Sequence, residues 1–305
     1  MLSVVIPSYN EEGNILRTAE TIGRLLEENK INAELLFVDD GSTDGTWEAI
    51  SAASQDLDYV RGLKFSRNFG KEAAIFAGLE ASDGDCVVVI DCDLQHPPEK
   101  IVEMYDLWTR GYEIVEGVKA YRGKESAIHK AAAKSFYSII SKASGIDMDK
   151  SSDFKLLDRK AVNVLLNMRE KNAFFRALSS WIGFKTTQIM YSVRERDIGT
   201  TKWSTKALIK YAISNITSFS SFPMQVVTFL GCVTLVFSLV FSIRTLIQKL
   251  SGEALGGFTT IIIMMGFIGS IIMISLGILG YYLAKIYEEV KGRPRYIVAE
   301  TINGR

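Results

Sequence analysis

Residues 87–99 read VVVIDCDLQHPPE, an apolar run followed by Asp91 and, one residue later, by Asp93. An unbroken apolar run of this kind is typical of a strand that is covered on both faces. Carboxylates at the end of such a strand lose hydration, and their burial is costly unless a cation or a polar ligand partners them. The stretch therefore predicts a buried strand that ends at a binding site.

Apolar runs and helix-like segments alternate throughout residues 1–120. The earlier strand-like runs are LSVVIP, ELLFVDDGS and YVRGLKFS, and segments with helical periodicity separate them. Near-continuous apolar strands that alternate with helices are typical of a parallel sheet with helices on both faces. We therefore predict an α/β fold with a Rossmann-like, mostly parallel sheet.

The polar residues of this region follow the strands. In open α/β sheets, ligands bind beyond the carboxyl ends of the strands. Those ends carry PSYNE (residues 7–11), DDGS (39–42), SRN (66–68) and DCD (91–93). No GxGxxG follows the first strand and no GxxxxGK[ST] occurs in the sequence, which argues against the usual dinucleotide and P-loop sites.

Asp91, Asp93 and Gln95 form a candidate site for a divalent cation. Mg²⁺ and Mn²⁺ prefer hard oxygen ligands and are commonly held by one or two carboxylates together with substrate phosphates. One of the two aspartates could instead bind a ribose. His96 is a possible further ligand, although a loop histidine beside Pro97 is more often solvated.

Asp39 and Asp40 end an earlier strand and allow two interpretations. In one, Asp39 faces a ligand and accepts a hydrogen bond from a base N–H or a sugar hydroxyl. In the other, Asp40 starts an Asx-turn and residues 42–44 cap the next helix. The two interpretations are compatible.

The composition limits the partners and the cysteine chemistry. Lys+Arg and Asp+Glu both number 35, so no net charge favours a nucleic-acid partner. The three cysteines are odd in number and match no zinc spacing, which indicates reduced thiols.

Residues 211–243 and 255–284 contain no charged side chain. A membrane-spanning helix needs about 20 apolar residues, and two such runs in succession are hard to bury in a soluble enzyme. We predict a transmembrane hairpin with spans of about 223–245 and 259–284. Basic residues before the first span and after the second predict that both ends are cytoplasmic.

The flanking segments complete the domain division. We expect a cytoplasmic domain over residues 1–202 with an amphipathic helix at about 126–144, a juxtamembrane helix over 203–222, and a cytoplasmic tail over 285–305. Each amphipathic helix fits either the membrane interface or the protein core, and the pattern at 203–222 favours the interface. The tail segment YIVAETI predicts a strand that folds back on the cytoplasmic domain.

Six motifs in order resemble those of family 2 glycosyltransferases with the GT-A fold: VVIPSYNEEGNI, FVDDGSTDGT, FSRNFGKEAAIFAGLEAS, VVVIDCDLQHPPE, SSDFKLLDR and RERDIGTTKW. More narrowly, they resemble the polyprenyl-phosphate glycosyltransferases, which include dolichol-phosphate mannose synthase and the bacterial undecaprenyl-phosphate (bactoprenol) glucosyltransferases. The resemblance implies transfer of a single sugar, with glucose as the first expectation, from a UDP-sugar to undecaprenyl phosphate with Mg²⁺ or Mn²⁺. It also implies a homo-oligomer, plausibly a tetramer, in the bacterial inner membrane.

The resemblance further implies roles for individual residues. The nucleotide-sugar set comprises Pro7, Tyr9, Glu11, Asp39, Asp40, Lys71 and Asp91. The metal set comprises Asp93, Gln95 and Asp91, and the catalytic set comprises Asp91, Asp93 and Asp153. The acceptor-phosphate set comprises Arg122, Ser152, Arg196 and Lys202.

Two residues of the SSDFKLLDR motif leave open questions. Asp153 is either a general base or a positioning group, because a lipid-phosphate nucleophile is already anionic. Lys155 stands where many relatives have arginine. We therefore expect any bidentate contact with phosphate to be weaker than an arginine would make.

Other functions are compatible with the sequence. The transferred sugar could be N-acetylglucosamine, galactose or a modified arabinose. A processive polysaccharide synthase shares the start of the fold, but it usually carries more spans and a QxxRW segment that is absent here. A membrane-tethered nucleotide-sugar sensor would keep the acidic residues without turnover.

Overall fold

The computed structural model describes residues 1–119, 152–168, 170, 174–192, 222–251 and 257–303, which we call the described residues. The chain divides into two compact units, Met1–Leu208 with Arg293–Arg305 and Ile209–Gly292. The first unit has an α/β fold, and the second contains two long apolar helices.

Strands and helices alternate through most of the first unit. Their order is β1 (Leu2–Ser8), α1 (Ile15–Glu28), β2 (Ala33–Asp39), α2 (Thr46–Asp56), β3 (Val60–Phe65), α3 (Lys71–Ala81), β4 (Cys86–Val89), α4 (Glu99–Thr109) and β5 (Ile114–Lys119). There follow β6 (Lys155–Asp158), α5 (Arg159–Asn167), α6 (Phe175–Trp181) and β7 (Thr186–Tyr191). The second unit contains α7 (Phe222–Leu250) and α8 (Phe258–Val290), and β8 (Val298–Ile302) returns to the first unit.

The eight strands of the described residues form one sheet in the order β7-β5-β6-β4-β1-β2-β3-β8. The central strands β4, β1, β2 and β3 are parallel, as the sequence predicts. The register pairs Ser8 of β1 with Asp39 of β2, so the carboxyl ends of these strands lie side by side. Strand β6 is antiparallel to both of its neighbours, β4 and β5, an insertion that the sequence pattern does not reveal.

Side chains that alternate along β2 cover both faces of the sheet. Leu35 and Phe37 belong to a buried cluster that includes residues of α1 and α2, whereas Leu36 and Val38 pack in a second cluster with residues of α3. Full burial of side chains of this size stabilises the fold by about 1.5–3 kcal/mol each. The predicted two-sided sheet is therefore confirmed.

Helix α3 lies unusually close to the sheet. A Cβ atom at Gly78 would lie 2.2 Å from Cγ1 of Val5 on β1, a distance that no real Cβ contact tolerates. The glycine therefore allows close packing of α3 on β1, and this packing fixes the position of Lys71 in the first turn of α3.

The C-terminal segment adds a strand to the edge of the sheet. Strand β8 pairs antiparallel with β3, and the ring of Tyr296 stacks on Phe65 at 5.1 Å between centroids. The prediction that YIVAETI forms a strand on the first domain is confirmed.

The two helices of the second unit contain segments long and apolar enough to cross a membrane, Met224–Phe241 and Met264–Val290. Helix α7 continues through Arg244 and Lys249 to Leu250, beyond the predicted end of the first span at about residue 245. Long basic side chains favour helices, so their charge does not end α7. The amphipathic helix at 126–144 and nearly all of the helix at 203–222 fall outside the described residues, as do Arg122, Arg196 and Lys202.

Candidate active site

Asp39 ends β2 at the carboxyl edge of the sheet and is completely buried, at 0% exposure. Its Oδ1 accepts a hydrogen bond from the N–H of Ser42 at 2.9 Å. Its Oδ2 is buried and has no hydrogen-bond partner among the described residues. A buried carboxylate oxygen is costly without a donor, so a ligand N–H or O–H would complete this group.

Asp40 supports the loop that leads into α3. Its carboxylate accepts hydrogen bonds from the N–H groups of Phe69 at 2.7 Å and Gly70 at 2.9 Å. Burial raises the pKa of Asp40, and these backbone hydrogen bonds only partly oppose the effect. The Asx-turn predicted at Asp40 is wrong, because Asp39 makes the local contact with Ser42. The structure thus gives Asp40 a clear role in positioning the loop.

The segment after β1 forms a neighbouring wall of the site. Pro7 is buried within β1, whereas Tyr9 is exposed. The N–H of Glu11 donates to Oγ1 of Thr46, and Oδ1 of Asn10 accepts from the N–H of Thr43, both at 2.9 Å. These bonds join the loops that follow β1 and β2 beside the buried carboxylate of Asp39.

A tight turn after β4 carries Asp93 and Gln95. Oδ1 of Asp93 accepts from the N–H of Gln95 at 3.1 Å, and Leu94 between them has φ 53°. This left-handed conformation costs a non-glycine residue about 1–2 kcal/mol, a strain that is common at functional sites. The turn therefore keeps a carboxylate and an amide within two residues of each other.

The donors of this turn fit a divalent cation. Carboxylate and amide oxygens are the hard ligands that Mg²⁺ and Mn²⁺ prefer. Within the described residues, no group of three His, Cys, Asp or Glu side chains is arranged to hold a metal ion. Asp93 and Gln95 would therefore need substrate phosphate oxygens to complete the coordination, as is usual for Mg²⁺.

Lys71, Asp91, Asp153 and Arg176 form what we call the charged network. Nζ of Lys71 lies 2.6 Å from Oδ1 of Asp91 and 2.9 Å from Oδ2 of Asp153. Arg176 donates from Nε to Oδ1 of Asp153 at 2.6 Å and from Nη2 to Oδ2 at 2.8 Å. The network brings together Lys71, Asp91 and Asp153, which the resemblance places in the nucleotide-sugar and catalytic sets.

The network holds its acids in the ionised form. Burial by itself would raise the pKa of Asp153, but Lys71 and Arg176 lower it well below its ordinary value. Burial by itself would raise the pKa of Asp91, but Lys71 and His96 together lower it. Burial opposes the charge of Lys71, yet the two carboxylates raise its pKa. A carboxylate held this firmly in the ionised form is a weak base, which favours a positioning role for Asp153.

Glu72 lies beside the network and joins α3 to α6. Its Oε2 accepts from the N–H of Phe175, the first residue of α6, at 2.9 Å. Burial and the nearby charge of Asp153 raise the pKa of Glu72 to about 7. This carboxyl group therefore changes charge near neutral pH, next to a permanently ionised neighbour.

His96 is buried at 7% exposure, so the expectation that it is solvated is wrong. Its ring stacks on Phe154 with centroids 5.1 Å apart and meets Tyr191 edge-on at 5.3 Å. Burial lowers its pKa, and the charge of Asp91 only partly opposes this. The three rings connect the turn after β4 to the neighbour of Asp153 and to the end of β7.

Ser152 and Lys155 of the SSDFKLLDR motif face the protein interior. Oγ of Ser152 donates to the carbonyl of Gly117 on β5. The ammonium of Lys155 lies 3.0 Å from Oε1 of Glu116, and its side chain is only 1% exposed. A phosphate contact by Lys155 is therefore excluded in this arrangement, and the expectation of a weakened contact is wrong.

Sequence reasoning missed Glu72 and Arg176. Glu72 lies within the motif FSRNFGKEAAIFAGLEAS, which also contains Lys71. The motif alone did not indicate what Glu72 does. Arg176 lies in none of the six motifs, and only the folding of α6 against β6 brings it to Asp153.

Comparisons with known sequences agree with this geometry. The profile of Glycosyl transferase family 2 matches residues 3–166. The uncharacterized glycosyltransferase YkcC of Bacillus subtilis is 38% identical over 301 residues, which cover 98% of this chain and 93% of YkcC. The bactoprenol glucosyl transferase of Shigella phage SfII is 34% identical over 305 residues, which cover 99% of each chain.

Solved structures share the fold at low identity. A glucosyl-3-phosphoglycerate synthase from Mycobacterium tuberculosis, crystallised with Mn²⁺, uridine-diphosphate-glucose and phosphoglyceric acid, has a TM-score of 0.50 at 21% identity and covers 72% of this chain and 79% of its own. A second mycobacterial protein has a TM-score of 0.51 at 22% identity and covers 72% and 74%. The family match extends over more than half of the sequence, and the relatives are similar along almost all of it. The chain therefore belongs to glycosyl transferase family 2 and is a glycosyltransferase with a GT-A-like fold.

Proposed function

We propose that this glycosyltransferase moves a single sugar, with glucose as the first candidate, from a UDP-sugar to undecaprenyl phosphate. The observation that carries the proposal is the charged network at the carboxyl edge of the sheet, in a chain that also has two helices long and apolar enough to cross a membrane. The name of the phage relative, a bactoprenol glucosyl transferase, supports the same acceptor and sugar.

The donor binds along the ends of β1, β2 and β4. Oδ2 of Asp39 accepts from the base, since it is buried and has no partner among the described residues. Tyr9 and Glu11 line the neighbouring wall, with Pro7 behind them in β1. Asp40 contributes indirectly, because it holds the loop that presents Lys71.

Asp93 and Gln95, with Asp91 close by, would hold Mg²⁺ or Mn²⁺ together with the donor phosphates. A bound cation acts as a Lewis acid and neutralises charge on the nucleoside diphosphate leaving group. The mycobacterial synthase of similar fold was crystallised with Mn²⁺ and a UDP-sugar. The carboxylate and amide oxygens of this chain suit either Mg²⁺ or Mn²⁺.

The acceptor requires positioning more than activation. A lipid phosphate is already anionic near neutral pH, so the ionised Asp153 does not have to remove a proton. Arg122, Arg196 and Lys202, which precede the first apolar helix in the sequence, would hold the phosphate, with Ser152 fixing the adjacent backbone. In-line attack on the sugar from the side opposite the leaving group inverts the anomeric carbon and gives a β-linked product from an α-linked donor.

The proposed enzyme works at the cytoplasmic face of the bacterial inner membrane. Residues 1–202 form its catalytic domain, residues 203–222 an interface helix, residues 223–284 the transmembrane hairpin, and residues 285–305 a cytoplasmic tail. The enzyme assembles as a homo-oligomer, with a tetramer as the first candidate, and both termini are cytoplasmic.

The decisive experiment uses the full chain in detergent with undecaprenyl phosphate and a panel of UDP-sugars. Mass spectrometry of the lipid fraction is expected to detect one added hexose with UDP-glucose, and none when the lipid phosphate is omitted. A lipid product from another donor would correct the sugar. Polymer on a gel, or donor binding without any lipid-linked product, would refute the proposed reaction.

A further inference from the structure

A buried ion pair joins the two strands that lie beneath the charged network. Glu116 on β5 is directly opposite Lys155 on β6, and their charged atoms are 3.0 Å apart. Their side chains are only 8% and 1% exposed. Removing two charges from water costs free energy that an apolar pair of similar size does not cost. A reason other than stability is therefore needed for this pair.

Lys155 also makes contacts with helix α6. Its Nζ donates to Oγ of Ser179 at 2.8 Å, and the carbonyl of Arg176 and Oγ of Ser180 each accept at 3.4 Å. A helix as short as Phe175–Trp181 is not stable in isolation and depends on tertiary contacts. Lys155 thus fixes this helix against the sheet from below.

The same helix carries the clamp on Asp153. The carbonyl of Arg176 accepts from Lys155, while its guanidinium makes the paired contacts with Asp153. A fork of two parallel hydrogen bonds requires both distance and orientation to be correct. A small displacement of α6 would therefore separate Arg176 from Asp153.

We propose that Lys155, neutralised by Glu116, is a positioning residue that sets α6 so that Arg176 clamps Asp153 at the reacting centre. Lys155 acts through the helix, to which its ammonium donates hydrogen bonds. The family resemblance associated position 155 with phosphate contact. In this proposal Lys155 instead aligns the residues of the charged network.

The electrostatics decide how the pair should be tested. Burial lowers the pKa of Lys155, and Glu116 opposes this lowering. Removing one partner would leave a buried charge without its counterpart. That charge would destabilise the fold whether or not the pair positions Arg176. The informative variant therefore replaces both residues, with Lys155→Met and Glu116→Gln in one chain.

The experiment measures stability and turnover of the full chain in detergent. We expect the paired variant to unfold at the same or a higher temperature than the wild type. We expect its kcat to fall by about 10- to 100-fold, because the clamp is misplaced, while KM for the UDP-sugar is unchanged. If melting temperature and turnover fell together, the pair would contribute to stability alone. That result would overturn the proposal.

A matched control tests whether any buried pair has this effect. Half-buried Arg61 and buried Glu34 form an ion pair near the amino ends of β2 and β3, at the edge of the sheet opposite the site, and Arg61 also pairs with Asp83. The variant Arg61→Met with Glu34→Gln likewise replaces a basic and an acidic partner far from the site, and its kcat should match the wild type. An equal loss of kcat in this control would contradict a role specific to Lys155.

A thermodynamic cycle makes the inference independent of the substrate. The activity readout depends on the proposed function, whereas melting temperatures do not. We expect Arg176→Met to lower the melting temperature of the wild type and to have little effect in the paired variant, because contacting groups are coupled. Equal effects in both backgrounds would overturn the inference, while a wild type without lipid product would refute only the proposed function.

Discussion

Replacing Glu72 with glutamine removes a titratable group that the fold places between α3 and α6. Burial and Asp153 raise the pKa of Glu72 from the ordinary value of 4.5 to about 7. The amide oxygen of glutamine still accepts from the N–H of Phe175, so the hydrogen bond that joins the helices is kept. The substitution therefore changes the charge and leaves the geometry in place.

The sign of the effect follows from proton linkage. The folded protein binds a proton at Glu72 up to about pH 7, whereas the unfolded chain releases it near pH 4.5. Folding therefore takes up a proton between these values, and the free energy of unfolding falls as the pH rises through this window. With about 1.4 kcal/mol for each pH unit, ionised Glu72 costs up to about 3.5 kcal/mol. The Glu72→Gln variant avoids this cost.

Thermal unfolding of the full chain, followed by tryptophan fluorescence in detergent, measures the difference. At pH 5 the variant and the wild type should melt within a few degrees of each other. At pH 8 the variant should melt higher by roughly 7–14 °C, since 1 kcal/mol corresponds to about 2–4 °C in a domain of this size. The control Glu103→Gln changes a surface carboxylate of α4 that pairs with Lys100, and it should follow the wild type at both pH values. Melting curves of wild type and Glu72→Gln that stay parallel from pH 5 to pH 8 would refute the reasoning.

Further expectations concern the donor, the acceptor and the packing of α3. Asp93→Ala should lose nearly all turnover with an unchanged melting curve, and EDTA should abolish wild-type turnover until Mn²⁺ or Mg²⁺ is restored; wild-type rates in either case would remove the cation from the mechanism. Asp39→Asn should raise KM for the UDP-sugar about tenfold, because one acceptor of a buried hydrogen bond is lost, and an unchanged donor titration would contradict this. Lys202→Ala should raise KM for the lipid phosphate more than KM for the donor, and steady-state kinetics with both substrates would reveal the opposite order. Gly78→Ala should destabilise the fold by about 1–3 kcal/mol through overpacking against Val5, whereas an unaltered melting temperature would show that α3 moves freely.

The central sheet could be predicted because its signals are local. The apolar runs of β1 to β4 identify the strands without knowledge of their partners, and parallel strands bring their carboxyl ends together by topology. The prediction that polar chemistry lies at one edge of the sheet followed from these two facts. The predicted tail strand also relied on a local pattern, and β8 confirms it.

The rest of the site depends on contacts between distant parts of the chain. His96 is buried because Phe154 and Tyr191 cover its ring, and neither residue is near it in the sequence. Lys155 turned out to be an interior cation because β6 is inserted antiparallel beside β5, opposite Glu116. Arg176 reaches Asp153 through a helix too short to leave a clear periodic signal. Pattern and motif identify the chemical groups, whereas only tertiary pairing decides which groups meet.

Strand β8 has a consequence for the order in which the chain is synthesised. The ribosome completes β3 early, but its outer neighbour β8 emerges only after α7 and α8. During that interval the backbone groups along one side of β3 are open to pairing with other nascent chains, which is how exposed strand edges cause aggregation. In the proposed enzyme, insertion of the apolar helices into a bilayer would occupy this interval, so slow translation of the final segment would lower the yield of folded enzyme more than slow translation of its beginning.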